Sequence, residues 1–306
     1  MTDKSFTLPS FAKINWLLRI LGKREDGFHE LCTIFQTVSL FDELTFAESD
    51  RLFLTCDDKN IPTDETNLIL KAATRLKSEF NLRKGAHIKL EKRIPAPGGL
   101  GGGSSNAAVA LLGLAALWDL EIEFEKLVEL GAQLGSDVPY FFFGGTAYGT
   151  GRGTEIKPLR DLDEKFLLLV TPDLHISTAE AFARLGAPYL TNETSKSILE
   201  ICQNEVDSFN SRQREISNDF EKSIFGFQPE IRRVKEKLLA AGARQALLSG
   251  SGATVFAIFD KTETRQATLK ALEEETNWRK FAVATVSREE YRAALKKCER
   301  LFPISF

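Results

Sequence analysis

Between residues 95 and 106 the chain reads Pro95-Ala96-Pro97-Gly98-Gly99-Leu100-Gly101-Gly102-Gly103-Ser104-Ser105-Asn106 and then runs into alanines. Glycines let a backbone turn at positive φ and let an oxygen approach the chain closely. A helix that follows adds free amide N–H groups and the positive end of its dipole. The segment therefore has the chemistry of an anion cradle, above all for phosphate. Two common phosphate loops do not fit it. The Walker pattern needs a lysine after the last glycine, where Ser104 stands, and GxGxxG would need a third glycine at the same position. A flexible linker is the plain alternative, but linkers do not usually lie between a strand and a strongly helical run.

Further residues could work beside the cradle. Asp137 lies in Gly135-Ser136-Asp137-Val138-Pro139, next to an aromatic stretch, and reads equally as a turn former or as a working carboxylate. Ser249-Gly250-Ser251-Gly252-Ala253 joins two apolar runs and reads as a hairpin loop or a second anion contact. Lys13 interrupts an otherwise apolar strand, which on its own suggests an edge-strand lysine. His29, His87 and His175 lack metal-ligand spacing, and neither HExxH nor GxSxG occurs.

These residues need a frame. The first quarter is β-prone over Ala12–Ile20, with Ile14, Trp16, Leu18 and Ile20 on one face, and again over Phe35–Phe46 and Arg51–Cys56. Thr66 is placed to cap a helix that buries Ile69, Ala72, Ala73, Leu76 and Phe80. A strand over His87–Ile94 leads into the glycine loop, and the helix after it is expected to start near Ser104 or Ser105, since serine caps well. Phe124–Leu134 reads as a helix, with strands at Tyr140–Phe143 and Thr146–Thr150. Beyond Gly153 come a strand over Lys165–Val170 and helices over Thr178–Leu185, Ser195–Glu205 and Pro229–Ala241. Strands over Gln245–Leu248 and Val255–Phe259, a helix over Arg265–Glu274, a strand over Phe281–Val286 and a helical tail complete the order. This is an α+β pattern with a boundary near residue 160, giving domains 1–160 and 161–306.

Composition fits a globular protein able to bury a core: 306 residues, 43% hydrophobic and 27% charged. A net charge of −3 argues against a dedicated nucleic-acid binder. Cys32, Cys56, Cys202 and Cys298 form no CxxC pair and read as buried small hydrophobes in a reducing compartment. No apolar run approaches the roughly 18 residues of a membrane span, so a cytoplasmic protein without membrane or nucleic-acid partners is expected.

The motifs together resemble the GHMP kinases: PAPGGLGGGSSNAA resembles their second motif and SGSGAT their third. With AKINWLLRILGKREDGFHEL and LGSDVPYFFFGGTAYGTGRG they resemble, in order, the branch acting on a cytidine-diphosphate-linked methylerythritol. The resemblance implies a two-domain fold: an N-terminal domain like ribosomal protein S5 domain 2 and a ferredoxin-like C-terminal domain. It implies transfer of the γ-phosphoryl of ATP to the 2-hydroxyl of that substrate, with Mg²⁺ accompanying the nucleotide, in the non-mevalonate route to isoprenoids. It places Lys13 and Asp137 in catalysis, Pro95–Asn106 on ATP, and Asn67 and Lys92 near the nucleotide. Asn15, Phe28, His29, Thr178 and Phe182 fall on the acceptor side together with Asp137. Phe28 stands where the family often has tyrosine, which keeps a ring to stack on cytosine and loses one hydroxyl contact. Metal ligands stay unassigned, with Ser105 a candidate. Homoserine- or mevalonate-type kinases and a catalytically inactive ligand-binding relative are the alternatives.

Overall fold

Two β-prone runs separated by Arg24–Phe28 pair as one long antiparallel hairpin. Strand β1 (Ser5–Lys23) meets β2 (His29–Ser49) from Ser5↔Ala47 to Lys23↔His29, and Gly27 at φ 84 permits the turn. The structure, a computed structural model, describes residues 5–187, 189–190, 200, 202–204, 206–207, 209 and 216–303. The register shifts between Phe11 and Ala12, Asn15 and Leu17, and Ile20 and Gly22. Bulges re-aim side chains and bend a strand, so the simple one-face alternation expected over Ala12–Ile20 is broken. Both faces of β1 are buried there: Leu17 sits with Ile14 and Trp16 in one core, and Leu18 sits in another.

Strand β2 is the spine of a seven-stranded sheet. One edge carries β1 throughout. The other carries β4 (Gly85–Glu91) along Glu43–Ser49 and β5 (Thr146–Thr150) along Thr33–Gln36. Strands β3 (Leu52–Cys56), β6 (Glu155–Pro158) and β8 (Ser217–Asn218) complete it. Helices α1 (Leu68–Glu79), α2 (Gly102–Leu117) and α3 (Phe124–Leu134) share a core with this sheet. Asn67, not Thr66, caps α1: its Oδ1 accepts from Ile69 N at 2.9 Å, while Thr66 turns to Asp64. Tyr140–Phe143, expected as a strand, is the single helical turn α4. Pro139 already holds helical angles, and Gly144 at φ 65 ends the turn before a ladder could form.

The second sheet is antiparallel, in the order β11 (Trp278–Val283), β7 (Leu167–Pro172), β10 (Val255–Ile258), β9 (Gln245–Leu248). Helices α5 (Thr178–Leu185), α6 (Phe220–Phe227) and α7 (Pro229–Ala240) lie between β7 and β9 in the chain, and α8 (Thr262–Ala271) lies between β10 and β11. The resulting 4-1-3-2 strand order is the ferredoxin-like arrangement. The helix expected over Ser195–Glu205 falls largely outside the described residues. Helix α9 (Arg288–Ala294) and a 3₁₀ turn (Lys296–Leu301) return to the first core, where Tyr291, Leu295, Cys298 and Leu301 are buried.

Candidate active site

The glycine loop turns on two left-handed residues, Gly99 and Gly101. Gly101, at φ 68, is the residue before α2, and no side chain caps the helix. The serine start expected at Ser104 or Ser105 therefore gives way to a glycine start three or four residues earlier. Gly101 makes the turn that a side chain would strain, and no side-chain oxygen caps the first turn, whose residues Gly102, Gly103 and Ser104 line the cleft. The loop is held on both sides. Lys13 N donates to Leu100 O at 2.9 Å. From the second sheet, Ser249 Oγ donates to Gly99 O at 2.9 Å, and Thr254 N donates to Gly98 O at 3.2 Å. Gly99, at φ 71, leaves no room for a side chain, since a Cβ would stand 2.1 Å from Ser249 O. Ser249–Ala253 is thus a hairpin tip docked on the loop, with Gly250, Ser251 and Gly252 also lining the cleft.

Behind the loop lies a buried polar cluster. Asp42 is inaccessible to solvent. Its Oδ1 accepts from Arg93 N at 2.7 Å and Ile94 N at 2.8 Å, and its Oδ2 accepts from Lys92 Nζ at 2.5 Å and Asn106 Nδ2 at 3.0 Å. Burial pushes the Lys92 ammonium below its ordinary pKa, against the raising effect of Asp42. Asn106 Nδ2 also reaches Ser10 Oγ at 2.9 Å, and Ser10 Oγ donates to Ser105 Oγ at 2.8 Å.

In front of the loop, period-two alternation sets Lys13 and Asn15 on one face of β1. Lys13 Nζ donates to Asn15 Oδ1 at 2.8 Å and lies 3.4 Å from Asp137 Oδ2. Asn15 Nδ2 donates to Thr33 Oγ1 at 2.8 Å, which donates in turn to Leu17 O at 2.7 Å, so the amide's orientation is fixed. Lys13 is only 3% exposed, whereas Asp137 is 35% exposed and opens to the cleft. A buried cation thus holds a carboxylate that a ligand can reach.

The cleft measures about 910 Å³ and extends from the glycine loop and Asp137 to an aromatic end. There His29 stacks on Phe182, with centroids 4.5 Å apart and planes at 19°. Burial, reinforced by the charge of Lys23, pushes the His29 pKa down and favours neutral imidazole. Phe28 is 47% exposed and carries the Arg152 guanidinium on its face, 4.4 Å from the centroid. Thr178 Oγ1 lies 3.3 Å from Ser251 Oγ.

The structure therefore gathers Lys13, Asn15, Phe28, His29, Pro95 to Ser104, Asp137, Thr178 and Phe182 around one cleft. It places Ser105, Asn106 and Lys92 behind the loop, and Asn67 in a cap whose Nδ2 donates to Pro62 O at 2.6 Å. Sequence reading assigned no role to Thr33, Asp42 or Arg152, although Arg152 lies within the quoted LGSDVPYFFFGGTAYGTGRG stretch. Among the described residues, no cluster of three or more His, Cys, Asp or Glu is arranged to hold a metal ion.

Comparison with known proteins meets this geometry. The family described as GHMP kinases N terminal domain matches residues 67–145, and GHMP kinases C terminal matches residues 198–277. A 4-diphosphocytidyl-2-C-methyl-D-erythritol kinase of Solibacter usitatus is 38% identical over 302 residues, covering 97% of this chain and 93% of the relative. The chain belongs to the 4-diphosphocytidyl-2-C-methyl-D-erythritol kinase family of GHMP kinases. A relative of the same name from Thermodesulfovibrio yellowstonii is 40% identical over 275 residues, covering 87% of this chain and 94% of its own length. A crystal structure of 4-(cytidine 5'-diphospho)-2C-methyl-D-erythritol kinase superposes with a TM-score of 0.73 at 31% identity, covering 92% of this chain and 99% of that one. As a GHMP kinase the chain is an ATP-dependent phosphotransferase acting on a small-molecule alcohol. No helix among the described residues is long and apolar enough to cross a membrane.

Proposed function

We propose that this chain transfers the γ-phosphoryl of ATP to the 2-hydroxyl of 4-diphosphocytidyl-2-C-methyl-D-erythritol, in the cytoplasmic, non-mevalonate route to isoprenoid precursors. One observation carries the reading: the Lys13–Asp137 pair stands in a single cleft between an amide-lined phosphate cradle and an aromatic stack. The cradle takes the donor. Its first-turn amides and the glycines from Gly98 to Gly103 face the phosphates, while Lys92, Asn106 and Ser105 keep it in place from behind. The aromatic end takes the cytosine against the Phe28 ring and the stacked His29–Phe182 pair, with Thr178 at its border.

In the reaction the acceptor oxygen bonds to the γ-phosphorus as the bridging bond to ADP breaks. The hydroxyl proton passes to an Asp137 carboxylate oxygen, and Lys13 offsets charge gathering on the transferred group. The acceptor is a hindered tertiary alcohol, so positioning and charge stabilisation supply most of the acceleration. Mg²⁺ would enter with the nucleotide, as MgATP, and would supply charge neutralisation at the phosphates. The sparse acidic lining suits an ion held mainly by phosphates and water. Ser104 is the hydroxyl of the first helical turn that reaches the cleft; that of Ser105 is bonded to Ser10.

A homoserine or mevalonate acceptor would have no use for a base-stacking wall, and an inactive ligand binder would have no need of the Lys13–Asp137 contact. An ADP-release assay over a panel of acceptor alcohols tests the reading. Turnover is expected with the cytidyl-diphosphate substrate and is expected to vanish with Asp137→Ala. Turnover of homoserine or mevalonate alone would overturn the substrate, and ATP binding without turnover of any alcohol would overturn the activity.

A further inference from the structure

Arg152 stands at the tip of the turn between β5 and β6, bracketed by Gly151 at φ 65 and Gly153 at φ 90. The turn is anchored to β2. Gly151 N donates to Glu30 Oε1 at 3.0 Å, Gly151 O accepts from Leu31 N at 2.8 Å, and the other Glu30 oxygen holds Arg24 at 2.5 Å. The far side of the turn nears the catalytic loop, since a methyl group on Gly153 would lie 3.9 Å from Ser136 O, the residue before Asp137. The turn that carries Arg152 thus nears the loop of Asp137, and the Arg152 guanidinium lies over the Phe28 ring, 4.4 Å from its centroid. The guanidinium makes no hydrogen bond or ion pair among the described residues.

The acceptor proposed above has its reacting hydroxyl at Asp137 and its cytosine at the aromatic end. Its negatively charged diphosphate must cross the space between them. Among the described residues lining the cleft, the only acid is Asp137, and the lysines and arginines are Lys13, Lys23 and Arg152. Lys13 is committed to Asn15 and Asp137. Lys23 lies over the exposed Tyr189 ring, 5.4 Å from its centroid, at the His29 end of the cleft. Arg152 is the remaining cation, and its turn also nears the loop of Asp137. Its planar fork of N–H donors matches phosphate oxygens in pairs. Phe28, with no hydroxyl, gives the guanidinium plane an apolar surface on which to lie flat.

We propose that Arg152 recognises the diphosphate of the acceptor and so sets acceptor specificity, with Phe28 as the rail that orients it. The inference rests on the acceptor reading above. Calorimetric binding of cytidine diphosphate and of cytidine separates the two ideas. Wild type is expected to prefer the diphosphate by roughly 10- to 100-fold, the range of charged hydrogen bonds. Arg152→Ala should remove most of that preference and leave the cytidine affinity within about twofold, with Arg152→Lys intermediate. In the ADP-release assay Arg152→Ala should raise the acceptor KM by a similar factor and leave the ATP KM unmoved. Equal weakening of cytidine and its diphosphate in Arg152→Ala would overturn the proposal, because Arg152 would then only support the Phe28 ring. A collapse of the preference in Lys23→Ala as large as in Arg152→Ala would overturn it too, because the effect would be the general field of the cleft mouth. If wild type binds neither compound, the acceptor reading itself falls and takes the proposal with it. If wild type binds both and Arg152→Ala keeps the preference, the assignment to Arg152 alone is lost.

Discussion

Two lysine–aspartate pairs flank the glycine loop, and they differ in their aspartates. Behind the loop, Lys92 and Asp42 are 4% and 0% exposed and 2.5 Å apart, and both oxygens of Asp42 are engaged. In front of it, Lys13 is equally buried, but Asp137 is a third exposed and stands 3.4 Å from its partner. A carboxylate with every lone pair taken holds structure together. A carboxylate held on one side by a fixed cation and open on the other can exchange a proton with a ligand. The difference lies in the unused acceptor capacity of the aspartate, which comes from the tertiary surroundings and not from the pair itself.

The largest expected effect falls on the front pair. Asp137→Asn should lower kcat roughly 10²- to 10⁴-fold, the usual range for losing a general base. Its thermal unfolding and ATP affinity should stay near wild type; a near-normal kcat in steady-state assays would remove Asp137 from the chemistry. The rear pair should show the opposite profile. Asp42→Ala leaves a buried ammonium and two backbone N–H groups without their acceptor, and should cost about 3–5 kcal/mol in denaturant unfolding. Any activity it retains should track the folded fraction. If Asp42→Ala unfolded like wild type, the contrast between the pairs would break. A smaller effect should come from the clamp between the sheets: Ser249→Ala removes the bond to Gly99 O and should cost about 1 kcal/mol. It should also raise the ATP KM more than the acceptor KM, a split that steady-state kinetics can read. The smallest effect lies at the cleft's other end. An NMR titration should place the His29 midpoint below its ordinary 6.5, and Lys23→Ala should bring it only part of the way back, because burial is the larger cause. A depressed folded value favours neutral imidazole. The His29 contribution to stability is therefore present above its unfolded value and lost as pH falls through the folded one.

Much of this contrast was hidden from sequence, for physical reasons. Asp137, Lys13 and the glycine loop stand in local strings whose chemistry is visible in a window of a dozen residues. The α3, α5 and β9 segments have bounds that periodicity and punctuation set locally, and the structure has the same bounds. Asp42 looks like a polar residue among the alternating positions of β2. Its partners Lys92 and Asn106 lie 50 and 64 residues away, so only the folded chain reveals a buried hub. Ser104 obeys capping propensity in isolation, but the loop needs bare amides, and Gly101 supplies the turn instead. Tyr140–Phe143 has the composition of a strand, yet Pro139 and Gly144 confine it to one helical turn. Arg152 sits in a turn whose neighbours are mostly glycine and threonine, and its meaning comes from Phe28, which belongs to another hairpin.

The return of α9 to the first core bears on how the molecule is made. Phe11 meets Tyr291 at 5.5 Å between ring centroids, and the Tyr291 hydroxyl bonds to Phe141 O in the helical turn just after Asp137. A ribosome delivers the β1–β2 hairpin first and residues 288–301 near the end of the described chain. Until those residues emerge, the floor beneath α4 lacks a wall, and the nascent first half exposes part of its apolar interior. The packing around the turn that follows Asp137 is thus completed only once residues 288–301 have emerged.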